Sequence, residues 1–124
     1  MIDFNNATLV KLKKTSDNSV IKDVSPLFVN GEQILGVYKG IRDYVAFTTH
    51  RILAVNVQGL TGKKKDFTSI PYSKIQTFSV ETAGTFDLDS ELEIYVSGVG
   101  KCKFEFSGAS DILEIGRKIG EFVL

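Results

Sequence analysis

The clearest pattern in the sequence is an alternation of apolar and polar residues near the C-terminal end of the chain. From 91 to 96 and from 101 to 106 every second residue is apolar, which is typical of strands with one buried face and one solvated face. The predicted buried residues are Leu92, Ile94, Val96, Cys102, Phe104 and Phe106. Because Gly98 and Gly100 lie between the two segments, we expect an antiparallel hairpin with glutamates facing lysines across it.

Further strands are predicted upstream of this hairpin. They cover residues 33–39, 44–49, 51–57, a segment from 66 into 70–72, and 75–81. The segment 52–57 is apolar on both faces, as expected for a central strand that is covered on both sides. Turns are expected at 40–43 and near His50. Residues 58–65 are predicted to form a loop that contains two glycines and ends in three consecutive lysines. The count is seven short antiparallel strands.

Both ends of the chain show helical spacing. Isoleucines and a phenylalanine recur at helical intervals from Ile112 to Val123, and Ser110-Asp111 supplies an N-cap, so one amphipathic helix closes the chain. Residues 1–30 are predicted to be a helical lead-in, with an Asx-capped turn at 5–10, a polar linker at 15–19, and helical spacing from Val20 to Phe28 that is interrupted at Pro26. Residues 31–124 then form the main domain.

Length and composition are those of one ordinary globular domain. The chain has 124 residues, 43% of them hydrophobic and 24% charged, and no apolar run approaches the ~18 residues of a membrane-spanning helix. The N-terminus lacks the basic end and apolar stretch of a secretory signal, so we expect a cytoplasmic protein. Cys102 is the single cysteine and lies on the apolar face of its strand, which predicts a buried, unreactive thiol.

The net charge is zero, but the charges are unevenly distributed. Between 51 and 74 there are five bases and one acid, whereas between 75 and 100 there are five acids and no base. A neutral chain has no bulk attraction to nucleic acid or to an anionic membrane, yet local patches of either sign remain available for binding.

Seven antiparallel strands followed by an amphipathic helix describe a strongly bent sheet or partly open barrel with one capped end. The segments 59–64, 69–72 and above all 78–89 resemble the bacterial pleckstrin-homology family, and the similarity extends from about Leu27 to Leu124. The resemblance implies a mostly β, α+β fold with a seven-stranded barrel and a capping helix. It also implies assembly into cyclic rings, with a hydrophilic surface where the strands of neighbouring subunits meet.

Catalytic chemistry has little support in the sequence. His50, the single histidine, lies in a predicted turn, and no nucleophile elbow or phosphate-binding loop is present. Asp87, Asp89, Glu91 and Glu93 fall at every second residue, which would align four carboxylates on one strand face. Leu92 stands where a calcium loop needs glycine, and Leu88 and Leu92 read as core anchors, so we expect a solvated acidic face and no metal or cofactor. A small metal-dependent enzyme at these carboxylates is the least favoured alternative.

The basic cluster Lys63-Lys64-Lys65, with Arg51, is the candidate site for an anionic membrane. Each lysine near such a surface contributes only about 1 kcal/mol, so three lysines give weak attachment. Phosphoinositide-binding relatives of the fold use the loop that joins the first two strands, and here that loop holds only Lys39 and Arg42, opposed by Asp43. Aromatic residues that could stack on nucleic-acid bases are nearly absent around the lysines, so nucleic acid is not an expected partner.

The sequence therefore predicts a non-enzymatic binding and assembly domain that forms a cyclic homo-oligomer and presents a hydrophilic surface to an unidentified protein. The alternative is a peripheral membrane module that binds anionic head groups through Arg51, Lys63, Lys64 and Lys65. The predicted interface residues are Lys63, Lys64, Lys65, Glu81, Thr82, Thr85, Asp87 and Asp89.

Overall fold

The computed structural model describes residues 1–5, 9–108 and 111–124. Within these ranges it contains eight strands and two α-helices. They are β1 (Lys13–Thr15), α1 (Asn18–Val24), β2 (Ile34–Lys39), β3 (Tyr44–Thr48), β4 (Arg51–Gln58), β5 (Lys64–Pro71), β6 (Ile75–Glu81), β7 (Ser90–Val96), β8 (Gly100–Phe106) and α2 (Ile112–Val123). Short 3₁₀ turns at Ser25–Leu27 and Tyr72–Lys74 follow α1 and β5.

The strands form two antiparallel sheets, ordered β1-β2-β3-β4-β5 and β6-β7-β8. The apolar faces of both sheets meet in one core that contains Ile52, Leu92, Phe104 and Phe106, all fully buried. This arrangement confirms the predicted class, a mostly β fold with an open sheet and a C-terminal helix. Seven of the strands match the predicted ones closely, and β1 is an addition.

Strand β4 is covered on both sides, as its sequence predicted. Ile52 and Ala54 belong to the main core, whereas Leu53 and Val55 belong to a second cluster on the opposite face. Helix α1 supplies Val20 and Val24 to that second cluster. The helical spacing after residue 20 is thus explained by packing against the outer face of the first sheet.

The segment before α1 connects the two sheets. Leu12 forms a β-bridge with Phe106, and the Leu12 N–H donates to the Glu105 carbonyl at 2.9 Å. The chain then continues into β1, which pairs with β2. The predicted Asx-capped turn at 5–10 lies partly outside the described residues, and the linker predicted at 15–19 contains the end of β1 and the start of α1.

Helix α2 begins where the N-cap was expected. The Asp111 carboxylate accepts a hydrogen bond from the Glu114 N–H at 3.1 Å, while Ser110 lies outside the described residues. The helix packs on β6 at its glycines, because a Cβ on Gly116 would lie 2.8 Å from Val80 Cγ1. Helix α2 therefore sits very close to the second sheet at this point.

One corner of the barrel, between β5 and β6, is not closed by strand pairing. Each of these strands ends its sheet in the order of the described elements. The N-terminal residues contact side chains of β5. The Ile2 N–H donates to Thr68 Oγ1 at 2.8 Å, and the Met1 amino group lies 2.9 Å from the Asp66 carboxylate. In the described ranges no strand pairs with the outer edge of β6.

Candidate functional site

The three lysines of the basic tip do not have the same environment. We use "basic tip" for Lys63, Lys64 and Lys65, which lie at the end of the β4–β5 hairpin. Strand β5 begins at Lys64, so the loop is shorter than the predicted 58–65. Lys63 and Lys64 are exposed, but the Lys65 ammonium lies 2.8 Å from the Asp23 carboxylate of α1, and this hydrogen bond lowers the pKa of Asp23. Two of the three cations are therefore available to a partner.

The structure does not bring Arg51 together with the basic tip. In the β4–β5 register Arg51 faces Pro71, whereas Gln58 faces Lys64 at the opposite end of the hairpin. The Arg51 guanidinium instead donates to both oxygens of the Glu32 carboxylate, at 2.8 and 2.6 Å. The predicted lipid-binding set of Arg51 and the three lysines is thus split between two ends of the first sheet.

Glu32 and Arg51 form a buried structural pair. The Glu32 side chain is fully buried and also accepts hydrogen bonds from Thr48 Oγ1 at 2.6 Å and from the Val29 N–H at 3.0 Å. The hydrogen bond from Arg51 is the main cause that lowers the pKa of Glu32, to about 2. This pair fastens the segment that precedes β2 to the β3–β4 turn.

The predicted acidic residues cluster at the connection between β6 and β7. We use "acidic connection" for Glu81 and residues 82–89, which hold the predicted Thr82, Thr85, Asp87 and Asp89. Except for the half-buried Asp89, these residues are exposed. The connection is folded back on itself, since the Gly84 N–H donates to the Asp87 carbonyl at 2.6 Å and the Asp89 N–H donates to Asp87 Oδ1 at 3.1 Å.

Two expectations for this region are wrong. Leu92 is buried, but Leu88 is not a core anchor because β7 begins only at Ser90 and leaves the Leu88 side chain 64% exposed. For the same reason the four alternating carboxylates do not share one strand face. Only Glu91 and Glu93 lie on the strand, where they pair with Lys103 at 3.3 Å and Lys101 at 3.6 Å.

The acidic connection and the adjoining part of β8 contain two features that the sequence analysis missed. Phe86 is 99% exposed beside Leu88, so an apolar pair lies among the carboxylates. Glu105 faces Glu91 across β7 and β8, and burial followed by a hydrogen bond with Asp89 raises its pKa. The alternation of β8 correctly predicted that Glu105 lies on the solvated face. Aligning the predicted strands 91–96 and 101–106 as a hairpin would also have placed Glu91 opposite it.

A second group of apolar residues lies beside the basic tip. Ile41 is 80% exposed and Leu60 is fully exposed, and their loops are joined by a hydrogen bond from Arg42 to the Gly59 carbonyl. These loops and α1 enclose a cleft of about 490 Å³ that also contains Lys39 and Lys65. Lys39 lies 3.9 Å from Asp17, so carboxylates of the N-terminal region already face both lysines.

The residues considered for nucleophilic chemistry are placed as the sequence predicted. His50 is exposed in the β3–β4 turn, where its Nδ1 lies 2.8 Å from Thr49 Oγ1. Cys102 is fully buried in the main core, and burial raises the pKa of its thiol to about 11. Among the described residues no group of three His, Cys, Asp or Glu side chains could hold a metal ion. No described helix has the length and apolar character needed to cross a bilayer.

Comparison with known proteins identifies the family. Residues 3–123 match the bacterial PH (pleckstrin-homology) domain model, so the match begins well before the predicted start near Leu27. The chain is 48% identical over 83 residues to the uncharacterized protein YjqA of Bacillus subtilis, and 32% identical over 94 residues to YozO of the same organism. These alignments cover 67% and 76% of this chain, and they span 66% of the length of YjqA and 81% of that of YozO.

Solved structures agree with this match. A protein with a pleckstrin-homology domain from Shewanella loihica has a TM-score of 0.80 at 34% identity, covering 93% of this chain and 99% of that one. The pleckstrin-homology domain from Shewanella amazonensis has a TM-score of 0.67 at 36% identity, covering 89% and 90%. A PH-domain protein from Exiguobacterium sibiricum shares the fold at 18% identity with a TM-score of 0.70, covering 90% of this chain and 61% of that one. The chain therefore belongs to the bacterial pleckstrin-homology domain family.

Proposed function

We propose that this protein is a non-enzymatic assembly and binding domain that forms a cyclic homo-oligomer, in which the acidic connection of one subunit contacts the basic tip of the next. The observation that carries the proposal is the exposed apolar pair Phe86 and Leu88, placed in the connection that follows β6, a strand whose outer edge is unpaired in the described ranges. A monomer would leave both the apolar pair and the strand edge in water.

Strand β6 supplies the first part of the interface. An edge strand with unpaired N–H and C=O groups is a template for pairing with another chain unless it is covered or guarded. Helix α2 covers Phe78 and Val80 on one face of β6, but Thr77 and Ser79 are exposed. A strand from a neighbouring subunit could therefore form backbone hydrogen bonds with the outer edge of β6 without displacing α2.

The apolar pair supplies most of the affinity in this proposal. Full burial of a leucine or phenylalanine side chain stabilises a complex by about 1.5–3 kcal/mol relative to exposure. Phe86 is almost wholly exposed and Leu88 is 64% exposed, so both have most of that gain available on association. Apolar side chains that contribute this much free energy on burial are typical of the centres of interfaces, where aromatic residues are enriched.

Charge gives the contact its orientation. Lys63 and Lys64 form no ion pair within the described residues, and neither do Glu81 and Asp87. The tip belongs to the first sheet and the acidic connection to the second, so a contact between them joins different surfaces of two subunits. Such heterologous contacts close into rings when the rotation permits, and charges steer them more than they hold them.

In the part of the chain that the structure describes, the thiol is not placed beside the imidazole, and this supports a role without catalysis. The Cys102 thiol is buried with a raised pKa, and the exposed His50 lies on another sheet from it. The exposed Thr82, Thr85 and Asp87 would then form part of a hydrophilic rim that a further protein could bind in the cytoplasm.

Charge reversal with compensation tests the proposed contact. Changing Lys63 and Lys64 to Glu should lower the mass of the assembly in light scattering, and changing Glu81 and Asp87 to Lys in the same chain should partly restore it. Lys65 is left unchanged because its ion pair with Asp23 is internal. An assembly that is indifferent to both sets of changes would contradict the proposed pairing of surfaces.

The apolar contact needs its own variant and a matched control. Phe86→Ser should weaken the assembly at least ten-fold. Leu113→Ser should leave it intact, because Leu113 is an exposed apolar residue (62% exposed) that lies on α2 and not in the proposed contact. Circular dichroism checks that both variants are folded. Equal effects of the two substitutions would show that Phe86 is not at the interface.

A peripheral membrane module is the second candidate, and it is favoured by one observation. Ile41 and Leu60 project from adjoining loops beside Lys63 and Lys64, which is the arrangement of a surface that inserts apolar side chains between anionic head groups. It ranks second because Asp17 and Asp23 already face the lysines of the adjacent cleft.

Vesicle co-sedimentation separates the two candidates. The assembly proposal predicts no binding at physiological salt to vesicles that contain anionic phosphatidylserine. Binding that is lost in an Ile41→Ser, Leu60→Ser variant and retained in Phe86→Ser would establish the membrane role instead.

A further inference from the structure

A second cleft lies on a part of the molecule that the proposed function does not use. It has a volume of about 480 Å³ and is bounded by β1 and β2 on one side and by α2 on the other. Its volume falls within the range of about 300–1,000 Å³ that is usual for small-molecule sites.

The floor of this cleft is apolar and belongs to the main core. Phe47, Ile115 and Ile119 line it and are each at most 5% exposed. Tyr72 also lines it, but its hydroxyl is turned to the Thr48 carbonyl at 2.8 Å and its ring stacks on Phe122. The floor therefore offers a surface for an alkyl or aromatic body and few polar partners.

Gly36 contributes to one wall of the cleft. Gly36 lies at an irregularity in the β2–β3 register and lines the cleft. A Cβ at this position would lie 3.3 Å from the ring of Tyr38, so any side chain would crowd the wall that Tyr38 forms. Irregularities of this kind in strand register often change the direction of side chains next to binding sites.

The mouth of the cleft is dominated by cations. Lys13, Lys14 and Lys118 line it, and none of the three forms an ion pair within the described residues. The two carboxylates at the mouth are already engaged, since Glu114 lies 2.6 Å from the Arg117 guanidinium and Asp111 caps the N-terminus of α2.

Lysines that form no ion pair within the described residues and that lie above an apolar floor have a defined chemical complement. A simple inorganic anion would leave the apolar floor of the cleft uncovered. The lysines disfavour a neutral hydrocarbon or a cation. We infer that this cleft binds a small single-chain amphipathic anion, with the alkyl chain against Ile115 and Phe47 and its carboxylate or phosphate head at Lys13, Lys14 and Lys118. The site is separate from the acidic connection and from the basic tip.

Titration calorimetry of the full chain with defined probes tests this inference. Decanoate and decyl phosphate supply the chain with either head group, decanol supplies the chain alone, and acetate supplies the head alone. We expect saturable binding of decanoate or decyl phosphate with one site per subunit, at least ten-fold tighter than decanol, and no binding of acetate. The tighter of the two anions identifies the head group. No binding of either amphiphile, or decanol as tight as decanoate, would overturn the inference.

Two surface variants locate the site without disturbing the core. Lys14→Glu with Lys118→Glu should weaken the binding of the amphiphile at least ten-fold, whereas Lys63→Glu with Lys64→Glu, a matched pair on the basic tip, should change it less than two-fold. Gly36→Val should also weaken binding by narrowing the cleft. Equal affinities in the two lysine variants would show that the amphiphile binds elsewhere and would refute the assignment.

Discussion

Replacing Glu32 by Gln provides a quantitative test of the buried pair that holds the segment before β2. The substitution keeps the shape of the side chain but removes the charge that receives two hydrogen bonds from Arg51, at 2.8 and 2.6 Å, and one from Thr48 at 2.6 Å. Because the amide is neutral and presents an NH₂ group to these donors, Arg51 is left without its counter-charge.

The magnitude follows from the pKa of Glu32. This pKa is lowered from 4.5 to about 2, chiefly by the hydrogen bond from Arg51. A folded-state pKa below the unfolded value stabilises the protein at pH values above the unfolded pKa, and this stabilisation is lost as the pH falls through the folded pKa. The ionised carboxylate therefore contributes about 3 kcal/mol at neutral pH, of which roughly half remains at pH 3.

Urea denaturation at fixed protein concentration measures this contribution. The free energy of unfolding of Glu32→Gln should be lower than that of the wild type by about 3 kcal/mol at pH 7, and the difference should shrink steadily between pH 4.5 and pH 2. Comparing the two proteins at each pH cancels the titration of the other carboxylates. Glu93→Gln is the control, because Glu93 forms only a surface pair with Lys101 at 3.6 Å. A difference that stays constant with pH would refute the assigned role of the carboxylate.

Two further predictions concern packing, and both are read from unfolding midpoints. Phe104→Ala should destabilise the protein by ~3–5 kcal/mol because it empties a fully buried space in the main core, whereas Lys103→Ala on the opposite face should leave the midpoint almost unchanged; equal midpoints would contradict the strand register. Gly116→Ala should destabilise the protein by about 1–3 kcal/mol, since the new Cβ would lie 2.8 Å from Val80 Cγ1. Gly120→Ala, where the nearest atom is 3.7 Å away, should instead stabilise α2, and a stabilising effect at both positions would show that the helix is not tightly packed on β6.

The parts of the fold that sequence predicted best are those in which local pattern and tertiary packing agree. The alternation in β7 and β8 fixes which residues face the core, and Asp111 marks the start of α2. Strand β1 was missed because its Lys-Lys-Thr sequence has no apolar alternation. It is a strand only because β2 offers a partner in the required register.

The candidate sites were predicted less completely because they are formed by contacts over long sequence distances. The pair of Glu32 and Arg51 joins residues 19 positions apart, and nothing in the local sequence distinguishes Arg51 from the exposed lysines. Leu88 was expected in the core from its apolar character alone, but it lies in the connection before β7, where no packing partner among the described residues covers it. The second cleft is made by β1, β2 and α2 together, so no single segment could have indicated it.

The central claim of this account is self-association, and the mass of the purified protein in solution tests it most directly. Multi-angle light scattering at tens of micromolar protein should give a single species with a mass of more than two 13.7 kDa subunits. The Phe86→Ser variant should shift that species toward lower mass under the same conditions. A wild-type mass equal to one subunit would contradict the proposed assembly.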